Sequence, residues 1–134
     1  MISATIDTND LFNALDAADQ RDVLRPPMVR GLARLQNTMA TYPAPPSGSR
    51  YKRTGNYGRE FTQAITEDDD GITGTLGNAV RDKRGRSYGP YVGDSERQAR
   101  IHQSRWVHDQ GALEMHIDAI VDDFGQSIDG VMNR

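Results

Sequence analysis

Chemistry, if this chain performs any, has few residues to use. His102, His108 and His116 are the natural metal ligands, but they lie six and eight positions apart. Two imidazoles share a helical face at i and i+3 or i+4, and no carboxylate completes a ligand pattern here. His116 falls beside an apolar stripe and reads as a packing histidine. Ser47, Ser49, Ser87, Ser95 and Ser104 lack the G-x-S-x-G frame that exposes a nucleophile. The acids of "DDDG" (68–71) are adjacent, whereas a calcium loop alternates its ligands and closes on a glutamate about twelve positions in. "TLGNAVRDKRGRSYG" (75–89) has glycines among cations without the G-x-x-x-x-G-K-[ST] spacing that encloses a phosphate. There is no cysteine, so thiolate chemistry and disulfides are excluded. The expectation is no catalytic residue, no metal and no cofactor.

Two basic stretches remain. "YKRTGNYGRE" (51–60) and "RDKRGRS" (81–87) set arginine and lysine among tyrosine and glycine. Arginine on phosphate with aromatics stacked on bases fits a single-stranded nucleic acid, which would use Arg50, Tyr51, Lys52, Arg53 and Tyr57. A solvated loop, or one that meets an acidic neighbour, fits the same composition. A small nuclease would rest only on His102 and His108 near arginines. The net charge is −3, so no global basic field draws the chain to DNA. The distribution matters more. Of 16 basic residues, 11 lie from Arg50 to Arg105, while six acids and only Arg134 follow Trp106. A basic middle and an acidic end suit head-to-tail contacts between subunits.

The elements that must carry these residues read as one α+β domain over 1–134, divided into 1–42, 43–58, 59–108 and 109–132. Alternation at Ile2, Ala4 and Ile6 predicts a short N-terminal strand. Thr8 or Asn9 caps a first helix with Leu11, Phe12 and Leu15 on one face. A second helix is expected to open at "RPPM" (25–28), with proline tolerated in its first turn. Met28, Leu32, Leu35 and Met39 form its buried stripe. "YPAPPSGSR" (42–50) stops it as an extended connector. "EFTQAIT" (60–66) and "ITGTLGN" (72–78) predict a β-hairpin, flat because of its glycines and able to continue pairing across a subunit boundary. "RDKRGRS" reads as a flexible loop, and "YGPYV" (88–92) as an extended piece anchored by Tyr88 and Tyr91. From Asp109, Leu113, Ile117, Ile120, Val121, Phe124 and Ile128 predict an amphipathic helix that Gly125 bends or interrupts. The whole is a small antiparallel sheet packed by two N-terminal helices and one C-terminal helix, with long basic loops. No apolar run approaches the ~18 residues of a membrane span, and no leader is evident. A soluble protein made in a cytoplasm is expected.

Residues 48–108 resemble a family of small tailed-bacteriophage proteins, the neck or tail-completion proteins that join head connector to tail. The residues that carry the resemblance are Arg53, Thr54, Gly55 and Tyr57, then Gly74, Leu76, Gly77 and Asn78. Tyr88, Pro90, Tyr91 and Val92 follow, and Gln98, His102 and Trp106 close the set. Position 89 is glycine where alanine is usual, and "YVGDSERQA" stands where many members carry an F-G-T after the Tyr-Val pair. The resemblance implies a non-enzymatic virion protein, assembled in the host cytoplasm and placed in the neck. It implies a homo-oligomeric ring, hexameric or matched to a dodecamer, around the DNA channel. Connector or adaptor proteins would lie on one side, and tail-tube or tail-terminator proteins on the other. Transient DNA contact is implied, with no membrane. A tail-side minor structural protein is the related alternative. On this reading Arg50, Tyr51, Lys52, Arg53, Thr54, Gly55 and Tyr57 form one inter-subunit or inter-ring arm. Arg81, Lys83, Arg84 and Arg86 form the second, pinned by Tyr88, Tyr91 and Trp106. Arg50, Lys52, Arg53, Lys83, Arg84 and Arg86 are the candidates to line the channel.

Overall fold

The computed structural model describes residues 2–6, 17–44, 55–68, 71–103 and 105–132. The elements are β1 (Ile2–Ile6), α1 (Ala17–Met39), α2 (Asn56–Arg59), β2 (Phe61–Asp68), β3 (Gly71–Asn78), α3 (Gly89–Gly93), a 3-10 turn (Arg100–His102) and α4 (Asp109–Met132). The α+β class holds, with the N-terminal strand, the hairpin and the C-terminal helix where periodicity put them. The predicted helix around Leu11, Phe12 and Leu15 lies outside the described residues, as do Arg50, Tyr51, Lys52, Arg53 and Thr54.

The three strands are antiparallel in the order β1-β3-β2. Ile2 stands opposite Leu76 and Ile6 opposite Ile72, while Phe61 stands opposite Asn78 and Asp68 opposite Gly71. The glycine-containing strand is therefore the central one, paired on both sides. Among the described residues β1 and β2 are the edges, so any pairing of the hairpin beyond this sheet would run through β2 and not through the glycine-containing strand.

Helices α1 and α4 cover one face of this sheet. Period-two alternation turns Ile72, Gly74 and Leu76 towards them, and Met28, Leu32, Leu35 and Met39 descend from α1 onto the same face, all buried. Gly74 is the point of closest approach. A Cβ there would lie 2.5 Å from the Met28 sulfur and 3.1 Å from a Leu32 methyl. From α4, Ala112, Ile120, Phe124 and Ile128 complete the core. Ile117 and Val121, expected in that stripe, instead sit at its rim and are exposed, and His116 takes part of their place. Gly125 does not interrupt α4, which runs unbroken to Met132; the packed stripe on either side outweighs its weak propensity.

Helix α1 does not open at the prolines. It begins by Ala17 and carries Pro26 and Pro27 in its interior, where proline removes a donor and usually costs about 3 kcal/mol. The carbonyls left without a helical partner are those of Asp22 and Val23. Asp22 is exposed to water. The Val23 carbonyl, on a buried residue, accepts a hydrogen bond from the Ser127 hydroxyl of α4 at 2.5 Å. The donor missing from α1 is thus supplied by the helix packed against it. Thr38 and His116 join the same two helices at the other end of the seam, 2.5 Å apart. Arg30 and Arg34 also meet Asp123, at 3.7 and 3.5 Å, but with the arginines about half exposed. Such pairs contribute at most about 1 kcal/mol each, against about 1.5–3 for each fully buried leucine or isoleucine, so apolar packing holds the seam.

Ser127→Ala is expected to lower stability by about 1–2 kcal/mol, because a buried carbonyl loses its donor. Urea unfolding monitored by helical circular dichroism reads this directly. A Ser127→Ala midpoint equal to that of wild type would show that water repairs the Val23 carbonyl instead.

Candidate functional site

Beyond the end of β3 the chain builds a second, smaller core, where Tyr57, Tyr88 and Trp106 of the residues singled out from the sequence meet. Tyr57, Val80, Val92 and Trp106 are buried together, with Tyr42, Phe61 and Tyr88 packed around them. Phe61 also touches the main core and so joins the two. The rings meet edge to face. Trp106 lies 4.8 Å from Tyr42 and 5.2 Å from Tyr57, and Tyr57 lies 5.1 Å from Phe61. Such pairs add about 0.5–1.5 kcal/mol beyond the area they bury.

Side-chain amides tie the backbone around these rings. Asn78 donates to the Tyr57 carbonyl at 2.8 Å and accepts from the Val80 amide at 3.0 Å. Gln98 donates to the carbonyls of Val92 and Trp106, at 2.7 and 3.1 Å. The Gly58 amide donates to the Tyr42 hydroxyl at 3.0 Å. Gly55, with φ at +78°, turns the chain into α2. The "YGPYV" piece is not extended, because Pro90 starts the short helix α3. Gly89 packs on Asn78, where a Cβ would come within 3.0 Å of the amide oxygen.

Tyr57 is fixed in this core at 4% exposure and offers no face for base stacking. Its hydroxyl has no hydrogen-bond partner among the described residues. Burial pushes the phenol above the ordinary tyrosine range, and the nearby Tyr42 and Asp109 add to the shift. Trp106 and Tyr88 pin the segment, but Tyr91 does not; it is 55% exposed.

The basic stretch after Val80 is an ordered hairpin rather than a free loop. Arg81 and Ser87 pair as a β-bridge. The Asp82 carboxylate accepts from the amides of Arg84 and Arg86 and from the Arg86 guanidinium, each at 2.9 Å. Gly85, at φ +78°, closes the turn in open space, and Arg81 donates to its carbonyl. The D-x-x-G spacing carried this signal in the sequence. Lys83 and Arg84 project from the turn with no ion pair among the described residues.

The histidines serve three separate purposes. His116 bonds Thr38, His108 Nδ1 accepts from the Gly111 amide at 2.9 Å, and the His102 ring stands edge-on to Trp106. Among the described residues no group of three or more histidines or acids could hold a metal.

No family model, curated protein or solved structure matches the chain. The site is therefore judged on its own geometry: a rigid aromatic platform that presents a basic hairpin.

Tyr57→Phe should leave stability unchanged or raise it by up to about 1 kcal/mol, because the lost hydroxyl had no partner. Gly93→Ala should cost about 1–3 kcal/mol, since its Cβ would collide with the Tyr57 hydroxyl and come within 2.9 Å of the Met39 methyl. The double variant should recover part of that loss, and thermal melts of the three proteins compare them. The hairpin should also respond to pH. Hydrogen bonds from the Arg86 backbone, foremost, hold the Asp82 carboxyl below its ordinary value of 3.8. A depressed acid contributes order above its unfolded value and loses it as pH falls through the folded one. The amide shifts of Arg84 and Arg86 should titrate together with a midpoint below 3.8; a midpoint at or above it would refute the anchoring.

Proposed function

We propose that the chain is a non-enzymatic structural protein of the tailed-bacteriophage neck, one subunit of a ring that joins head connector to tail. One observation carries this reading. The residues behind the resemblance are scattered over half the sequence, yet Tyr57, Asn78, Tyr88, Val92, Gln98 and Trp106 converge on one small core through direct bonds and ring contacts. Gly74 and Leu76 serve the main core instead, and Tyr91 is exposed. The 81–87 hairpin, ordered by Asp82, springs from the small core between Val80 and Tyr88, as a docking element on a packed base would. Lys83, Arg84 and Arg86 are exposed, where they can touch DNA in a channel. Nucleic-acid binding as the principal role loses support from the burial of Tyr57.

The test is native mass spectrometry and negative-stain microscopy of the full chain, alone and with purified portal–adaptor rings of a tailed phage. Ring particles with a central channel, or one subunit ring bound per connector, are expected. A chain that stays monomeric with every connector tried and at every concentration sinks the proposal.

A further inference from the structure

Helix α4 carries exposed apolar side chains on two flanks: Met115, 64% exposed, on one, and Val121 and Ile117, 54% and 36%, on the other. Between the flanks runs an acidic row, Glu114, Asp118 and Asp122 at four-residue steps, with Asp129 in the last turn. Like charges at that spacing repel and weaken a helix, and a carboxylate near the C-terminus opposes its dipole. None of the four has an ion pair among the described residues, and the last turn holds no base. Among the described residues nothing offsets this repulsion.

The pole beyond β3 has the complementary character. Between Ala79 and His108 stand seven bases and three acids. Lys83, Arg84, Arg100 and Arg105 are exposed and without ion pairs among the described residues. Apolar groups stand exposed here too, Ile101 at 70% and Tyr91 at 55%, and the Tyr91 carbonyl accepts from the Ala99 amide, which keeps the two segments together. The helix face is acidic with apolar flanks, and the pole is basic with exposed apolar groups.

The geometry points to a second copy of this chain as the occupant of the α4 face: the basic pole of one subunit docks on the outer face of α4 in the next. The two surfaces differ, so the contact is heterologous. Each subunit keeps one free pole and one free face, and association continues until a ring closes. This inference rests on the ring reading above and names the surfaces that would make the ring.

The experiment is a charge swap read by sedimentation velocity of the full chain at about 0.05 M and about 0.5 M salt, since exposed pairs are screened at the higher. Lys83→Glu/Arg84→Glu reverses the pole, and Asp118→Arg/Asp122→Arg reverses the face. All four side chains are exposed, and helical circular dichroism checks each variant for folding. Wild type should self-associate at low salt, and each variant alone should dissociate at least about tenfold more readily. Mixing the two should restore assembly, because reversed pole then meets reversed face and native pole meets native face. Asp118→Asn/Asp122→Asn should weaken association less than reversal does. If wild type assembles but the single variants assemble equally well, or if the mixture fails to recover, the inference falls while the ring reading stands. If the pure wild-type chain remains monomeric at low salt, the inference also falls, and the connector experiment alone decides the ring.

Discussion

The missing Cβ at Gly74 sets the distance between α1 and the sheet, and much else depends on that distance. With Met28 and Leu32 seated over the central strand, the stripe of α1 reaches β3 along its length and α4 fits beside it. Among the described residues the helices occupy one face of the sheet. Thr62, Ala64 and Thr66 on the other face of β2 are exposed and small. A glycine that looked like a source of loose register is instead a packing requirement of the core.

The second core solves a different problem. Residues 79–106 hold little regular structure, and such segments seldom keep a fixed shape in a small domain. Here two amides, Asn78 and Gln98, satisfy backbone groups that no helix or strand would, and three aromatic rings fill the space between them. The result is a firm base for a short charged hairpin. The disulfides that often stabilise irregular segments have no cysteine to form from in this sequence, so edge-to-face packing and amide bridges take their place.

Much of the fold was legible because it rests on periodicity. The stripe from Met28 to Met39 and the hairpin from Phe61 to Asn78 depend on local pattern, and both formed as read. The start of α1 was not legible, because the partner that makes interior prolines tolerable lies on another helix. Ile117 and Val121 were misplaced for a similar reason: apolar periodicity cannot tell which edge of a stripe a neighbouring element will cover. In the candidate site, Trp106 and Tyr88 could be read as anchors from their type alone. The role of Tyr42 could not, since it acts on the Gly58 amide sixteen residues on, nor could the bridging by Gln98, which depends on irregular backbone bringing two carbonyls to one amide. The Asp82–Gly85 turn was readable from its spacing, but the cations around it favour the reading of a solvated loop.

The bond from Ser127 to Val23 spans 104 residues. During synthesis the first half of α1 leaves the ribosome long before the serine that completes its hydrogen bonding exists. The N-terminal half of that helix therefore cannot complete its hydrogen bonding until Ser127 has been made and packed against it.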